Sequence, residues 1–179
     1  MVWSLVWSLV WCGVVLGLKD YKRADKKRSA EIRNKEPYSQ FTPFSFLIDR
    51  EVFMQFRFCE NFVGYGYEDV LFGLALKEKN VSIIHIDNPL IHIGIEENSI
   101  FLEKTRQSIH NLYNHRNDIG NDSKLLMQYN RLRKIHFTWI IHIIDKIFGK
   151  LIINNLQGNR PSLFLFSIYK LSIIHFLWR

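Results

Sequence analysis

Apolar residues are spaced differently in successive parts of this chain, and the spacing predicts the elements. Val2 to Leu18 carries no charged residue and repeats Val-Trp-Ser-Leu twice before a further Val-Trp. Its length lies at the lower limit for a membrane-spanning helix. The same run equally suits a buried strand of a larger parent protein. If it spans a membrane, Lys19, Lys22, Arg23, Lys26, Lys27 and Arg28 hold the following chain in the cytoplasm. No basic residue before the run and no clear cleavage site after it mark a secretory signal. Residues 19–36 are densely charged and predict a solvated, helical connector. Pro37 and Pro43 bracket an aromatic loop, Tyr38 to Phe44. Phe46-Leu47-Ile48 then predicts a short buried strand, and Asp49 the N-cap of a helical turn holding Val52 and Phe53.

From Glu68 to Lys79 the apolar residues Val70, Leu71, Leu74 and Ala75 recur at helical spacing. Val81 to Ile86 is rich in β-branched residues and runs into Asp87-Asn88-Pro89, which predicts a strand ending in a turn. Leu90 to Ile95 continues the strand-like pattern. Ile100, Phe101, Lys104, Ile109 and Leu112 predict a helix from about Ser99 to His115. After a polar loop at 117–123, helices are expected over about Lys124–Lys150 and Pro161–Arg179. The last is apolar nearly all round, which fits a helix lying in a membrane interface or packed on a partner chain.

A chain of 179 residues suits one domain with a core, and its 47% hydrophobic content excludes wholesale disorder. The formal net charge of +7 favours anionic partners: nucleic acid, anionic lipid or a phosphate-bearing substrate. Nothing but charge supports nucleic acid, so none is expected. Cys12 and Cys59 form no CxxC pair and no disulfide framework, which fits a reducing compartment.

Candidate chemistry concentrates at Gly64-Tyr65-Gly66-Tyr67-Glu68-Asp69 and at His92. Two carboxylates behind a glycine-rich bend, with an imidazole returning some twenty residues later, supply the means to abstract a proton beside a divalent cation. Acidic residues in the first turn of a helix are also explained by the helix dipole alone. Gly64 and Gly66 allow backbone shapes closed to other residues and close approach of a ligand. Tyr65 and Tyr67 offer flat faces suited to stacking on a sugar ring. His92 would need carboxylate company to hold a metal. Asp87 is near but equally at home as a turn former, and His85 fits a core histidine. The sequence contains no Walker loop, HExxH, GxSxG or Cys/His zinc pattern.

Five groups of residues together resemble a known family. They are Arg33-Asn34 with Pro37-Tyr38, Phe46-Leu47-Ile48, GYGYEDVLFG (64–73), HIDNPLIHIG (85–94), and Glu96 with Phe101-Leu102-Glu103-Lys104. The stretch from about Ser29 to Tyr113 resembles the C-terminal half of bacterial family 2 glycosyltransferases, in the form common in Bacteroidetes. The resemblance implies an α/β chain: a partial GT-A mixed sheet with helices, followed by a helical C-terminal tail. The implied division is 1–18 apolar segment, 19–36 connector, 37–116 acceptor-side half of the transferase domain, and 117–179 a membrane-associating tail.

The implied activity is transfer of a sugar from a nucleotide-sugar donor to a glycan or lipid-linked acceptor, at the cytoplasmic face of the cell membrane. By the family pattern Asp69 is the base and Glu68 holds acceptor hydroxyls. Gly64, Tyr65, Gly66 and Tyr67 line the acceptor site, and His92 completes a manganese or magnesium site. The family has an Asn pair where this chain has Phe44-Ser45, and no Asp-x-Asp metal motif occurs here. The expected protein is therefore a truncated transferase without the nucleotide-binding half. The alternative is a small, non-catalytic, membrane-anchored protein that binds anionic lipid.

Overall fold

The computed structural model describes residues 29–43, 45–56, 58, 62, 64–88 and 96–179. Val2–Leu18, both cysteines, Leu90–Ile95 and His92 lie outside the described residues. Two short helices, α1 (Ala30–Arg33) and α2 (Arg50–Gln55), precede α3 (Glu68–Glu78) and α4 (Asn98–Asn114). A single turn, α5 (Arg116–Ile119), leads through a 3₁₀ turn to α6 (Lys124–Lys134), α7 (Thr138–Gln157) and α8 (Leu163–Leu177).

The core is helix on helix. Ile109 and Leu112 of α4, Leu126 and Tyr129 of α6, Ile141 of α7 and Ile174 of α8 share one buried cluster. Phe101 and Leu102 of α4, Ile152 and Leu156 of α7 and Phe166 of α8 form a second. The order of these contacts makes α7 antiparallel to α8, with α4 running alongside α8. Far from lying free, α8 is the central helix, because an all-round apolar helix lowers its free energy most by covering every side. Its end is pinned by Trp178, whose ring meets those of Tyr113 and Tyr129 at 5.1 Å each. The Tyr129 hydroxyl also lies 3.0 Å from His175 Nδ1.

The expected GT-A mixed sheet is not formed: the described residues are 66% helix and contain no strand. Phe46–Ile48 is irregular, and Leu47 is fully exposed. Val81–Ile86 forms no regular element, although its side chains alternate between half-buried and exposed, and no strand lies beside it among the described residues. What pairs with it is a side chain. Asn34 Oδ1 accepts from His85 N at 2.7 Å while Asn34 Nδ2 donates to His85 O at 2.9 Å. The amide thus exchanges the two bonds that a neighbouring strand residue would make. Arg33 donates to Ile86 O, and Asp87 Oδ1 accepts from Ala30 N at 2.7 Å at the start of α1. Asp87 is a structural clamp, and His85 is satisfied by Pro37 O at 2.9 Å. The β-branched pattern favours extended backbone, but a sheet needs a second segment that the described chain does not supply.

The single helix expected over Lys124–Lys150 is two. Its break is a Schellman turn: Phe137 N donates to Leu132 O and His136 N to Arg133 O, with His136 at φ 56°. Asn80 closes α3 in the same way at φ 55°. A residue with a Cβ at a left-handed position is strained, by about 1 kcal/mol. His136→Gly is therefore expected to raise the thermal midpoint by about 2–4 °C, read by differential scanning calorimetry. Asp49 does cap α2, accepting from Glu51 N at 2.8 Å.

Candidate functional site

The glycine-rich bend sits where α3 begins, as expected, and its shape is dictated by α4. Gly64 (φ 80°), Gly66 (φ 103°) and Tyr67 (φ 72°) all occupy the left-handed region. A Cβ on Gly64 would lie 2.6 Å from Gln107 Oε1, and one on Gly66 would lie 2.5 Å from Ser108 Oγ. What approaches these glycines closely is thus a helix of the same chain. Asn111, almost fully buried on α4, donates to Tyr65 O and Gly66 O at 3.3 Å each and locks the bend in place. Gly73 on α3 plays a similar part on the other side, its Cα facing Tyr38 O across a gap too small for a methyl group. An aromatic cluster packs there: Phe41 of the loop, Phe46, Phe53 of α2 and Phe58 surround Phe72 with ring centroids 4.4 to 6.3 Å away.

The bend delivers Glu68 and Asp69 to the first turn of α3. Burial, and secondarily the charge of Glu68, push the Asp69 carboxyl above its usual range, although the Val70 N–H donates to its Oδ1 at 2.8 Å. Glu68 Oε2 is buried and has no hydrogen-bond partner among the described residues. A buried carboxylate oxygen without a donor is costly, and such an atom in a folded protein calls for an explanation. Tyr65 is exposed at the rim, with Lys104 Nζ 5.4 Å from its ring centroid; Lys104 in turn pairs with Glu96. The corner thus combines an unpartnered buried acceptor, a carboxyl inclined to take a proton, and an aromatic face.

His92 lies outside the described residues, so the pairing expected between it and Asp69 is not part of the described geometry. Among the described residues no three His, Cys, Asp or Glu side chains converge. Two adjacent carboxylates, one already engaged by a backbone N–H, do not by themselves make a cage for manganese or magnesium.

The sequence pattern did not single out Asn111, Gln107 and Ser108, which mould the bend. One signal was present: Asn111 interrupts the apolar stripe of α4 between Ile109 and Leu112, and a buried amide there needs a partner. A separate hollow of about 620 Å³, lined by Asn121, Met127, Asn130, Arg131, Arg133 and Lys134, opens on α6 and shares no residue with the acidic corner. No family model matches the chain, and no curated protein or solved structure is significantly similar to it.

Proposed function

We propose that the Gly64–Asp69 corner is the acceptor side of a glycosyltransferase, acting on a glycan or lipid-linked acceptor with a nucleotide-sugar donor. The observation that carries this reading is the buried, unpartnered Glu68 Oε2 beside a carboxyl held above its usual range. A sugar hydroxyl donating to Glu68 would satisfy that oxygen, and Tyr65 would lie against the apolar face of the ring. A second hydroxyl of the same acceptor would face Asp69. As Asp69 takes its proton, the hydroxyl oxygen bonds to the anomeric carbon of the donor. The bond from that carbon to the diphosphate breaks, and the nucleoside diphosphate leaves with the electron pair. A carboxyl shifted upward by burial is a stronger base than one in water. The reading rests on the bend and its carboxylates, and needs no sheet.

The test has two arms. Saturation-transfer NMR of the full chain with a panel of oligosaccharides should show contact with at least one glycan class, lost in Glu68→Ala. No saturation of any glycan by the folded chain would overturn the reading. In the second arm, release of nucleoside diphosphate is followed with a panel of nucleotide sugars, the glycan found in the first arm, and manganese or magnesium. Asp69→Asn should lower transfer by about 10²–10⁴. Transfer unchanged by that substitution would remove Asp69 from the base role.

The same substitution should stabilise the fold at neutral pH. With its folded pKa raised, the Asp69 carboxyl favours folding below its ordinary carboxylate range. That contribution is lost as pH climbs through the raised value. Asn carries no such penalty, so a thermal midpoint about 2–4 °C higher is expected at pH 7, with the gap closing in acid.

A further inference from the structure

We propose that the outer face of α7 docks on an anionic phospholipid bilayer, with the helix lying in the headgroup region. Trp139, Ile143, Ile147 and Leu151 are 58%, 42%, 61% and 63% exposed. They follow one another at intervals of four, so they form one stripe about 18 Å long. Ile141, Ile152 and Leu156, on the opposite side, are the residues that α7 gives to the core. The stripe is therefore surplus to folding. Exposed apolar side chains scattered singly need no account, but a continuous row on one helix does.

Charge selects the occupant. Lys146 and Lys150 are exposed and stand one position before Ile147 and Leu151, which places them along one flank of the stripe. Arg131, Arg133 and Lys134, also exposed, immediately precede the N-terminal end of α7. From Arg131 to Arg179 the chain holds eight Lys and Arg against one acid, Asp145, while residues 1–130 hold sixteen of each sign. The whole formal net charge of +7 thus belongs to the region that includes α6's end, α7 and α8.

An apolar stripe flanked by lysines is the arrangement of a helix lying at the surface of an anionic membrane. A second copy of this chain fits less well, because pairing two such faces brings lysines against lysines. A nucleic acid would attract the lysines but leave Trp139 and the aliphatic stripe without an apolar partner. None of the described helices is long and apolar enough to cross a membrane, so the mode is surface docking. This inference does not rest on the acceptor-site reading, since no residue of the stripe belongs to the acidic corner.

The experiment is vesicle co-sedimentation of the full chain, with phosphatidylcholine alone and with one-third phosphatidylglycerol. Binding is expected only to the anionic vesicles. Lys146→Gln with Lys150→Gln should weaken it about thirtyfold, and Ile147→Glu with Leu151→Glu about a hundredfold. All four positions are exposed, so circular dichroism and the thermal midpoint should stay at wild-type values. Equal binding to both vesicle types, or to neither, overturns the proposal. Wild-type binding by folded variants overturns it too, and assigns any membrane contact to another part of the chain such as Val2–Leu18. A dimer in sedimentation velocity that only the Glu variant loses would assign the stripe to a second copy instead.

Discussion

Ile174→Asp should unfold the helical core, whereas Phe176→Asp, two residues further along α8, should leave stability within about 0.5 kcal/mol of wild type. Ile174 has no exposed surface and sits among Ile109, Leu112, Leu126, Tyr129 and Ile141. Removing its side chain alone leaves a cavity that costs about 2–5 kcal/mol, and an unpaired carboxylate in that cavity adds its own desolvation penalty. Together these approach the entire stability of a domain this size, which is about 5–15 kcal/mol. Phe176 is 77% exposed, so a carboxylate there stays in water. Urea titration followed by circular dichroism reads both variants. Equal tolerance of the two substitutions would mean that α8 is not the central helix, and would restore the alternative of a tail lying apart from the rest.

That contrast also shows where the sequence is silent. Helix α8 is apolar nearly all round, so no stripe tells its buried face from its outer one; only the packing of α4, α6 and α7 against it does. By contrast α4 alternates apolar and polar positions at helical spacing, and its extent, Asn98–Asn114, lies within a residue of the expected one. The break between α6 and α7 could not be read from composition. His136 is not a typical turn residue, and the turn is held by two backbone bonds that depend on the local fold. At 81–86 the β-branched pattern predicts a strand that does not form; only the alternation of half-buried and exposed side chains is present. Whether such a segment joins a sheet is a property of its neighbours, and here the neighbour is the Asn34 amide.

The candidate site was legible in part for the same reason. Glu68 and Asp69 open α3 as the spacing predicts, because helix starts are written locally. The role of the glycines was not. Their φ values could be anticipated from residue type, but the object they make room for is α4, some forty residues later in the chain. Only a packed structure reveals that Asn111 reaches back to the bend, and that Glu68 Oε2 is buried with no donor among the described residues.

Gly66→Ala should destabilise the protein by about 3–5 kcal/mol and disturb the acidic corner with it. Two costs combine. The residue sits at φ 103°, a conformation that L side chains adopt with strain of about 1–3 kcal/mol. The added methyl group would also lie 2.5 Å from Ser108 Oγ, 2.6 Å from Ser108 Cβ and 3.2 Å from its Cα. The last two atoms belong to the body of α4 and cannot swing aside, so overpacking adds about 1–3 kcal/mol. The two costs can be separated by a second substitution. Ser108→Gly removes the Oγ and Cβ that clash but leaves the backbone strain untouched, while itself weakening α4 by up to about 1 kcal/mol. The double variant should therefore be less destabilised than the two single variants predict by addition, with a coupling of about 1–3 kcal/mol. Gly64→Ala is the internal control: its added methyl group meets mainly the flexible end of Gln107, so Ser108→Gly should show no coupling with it. Strict additivity of Gly66→Ala and Ser108→Gly in chemical denaturation would show that the bend does not rest on α4 there. The corner that presents Glu68 and Asp69 would then lose its support.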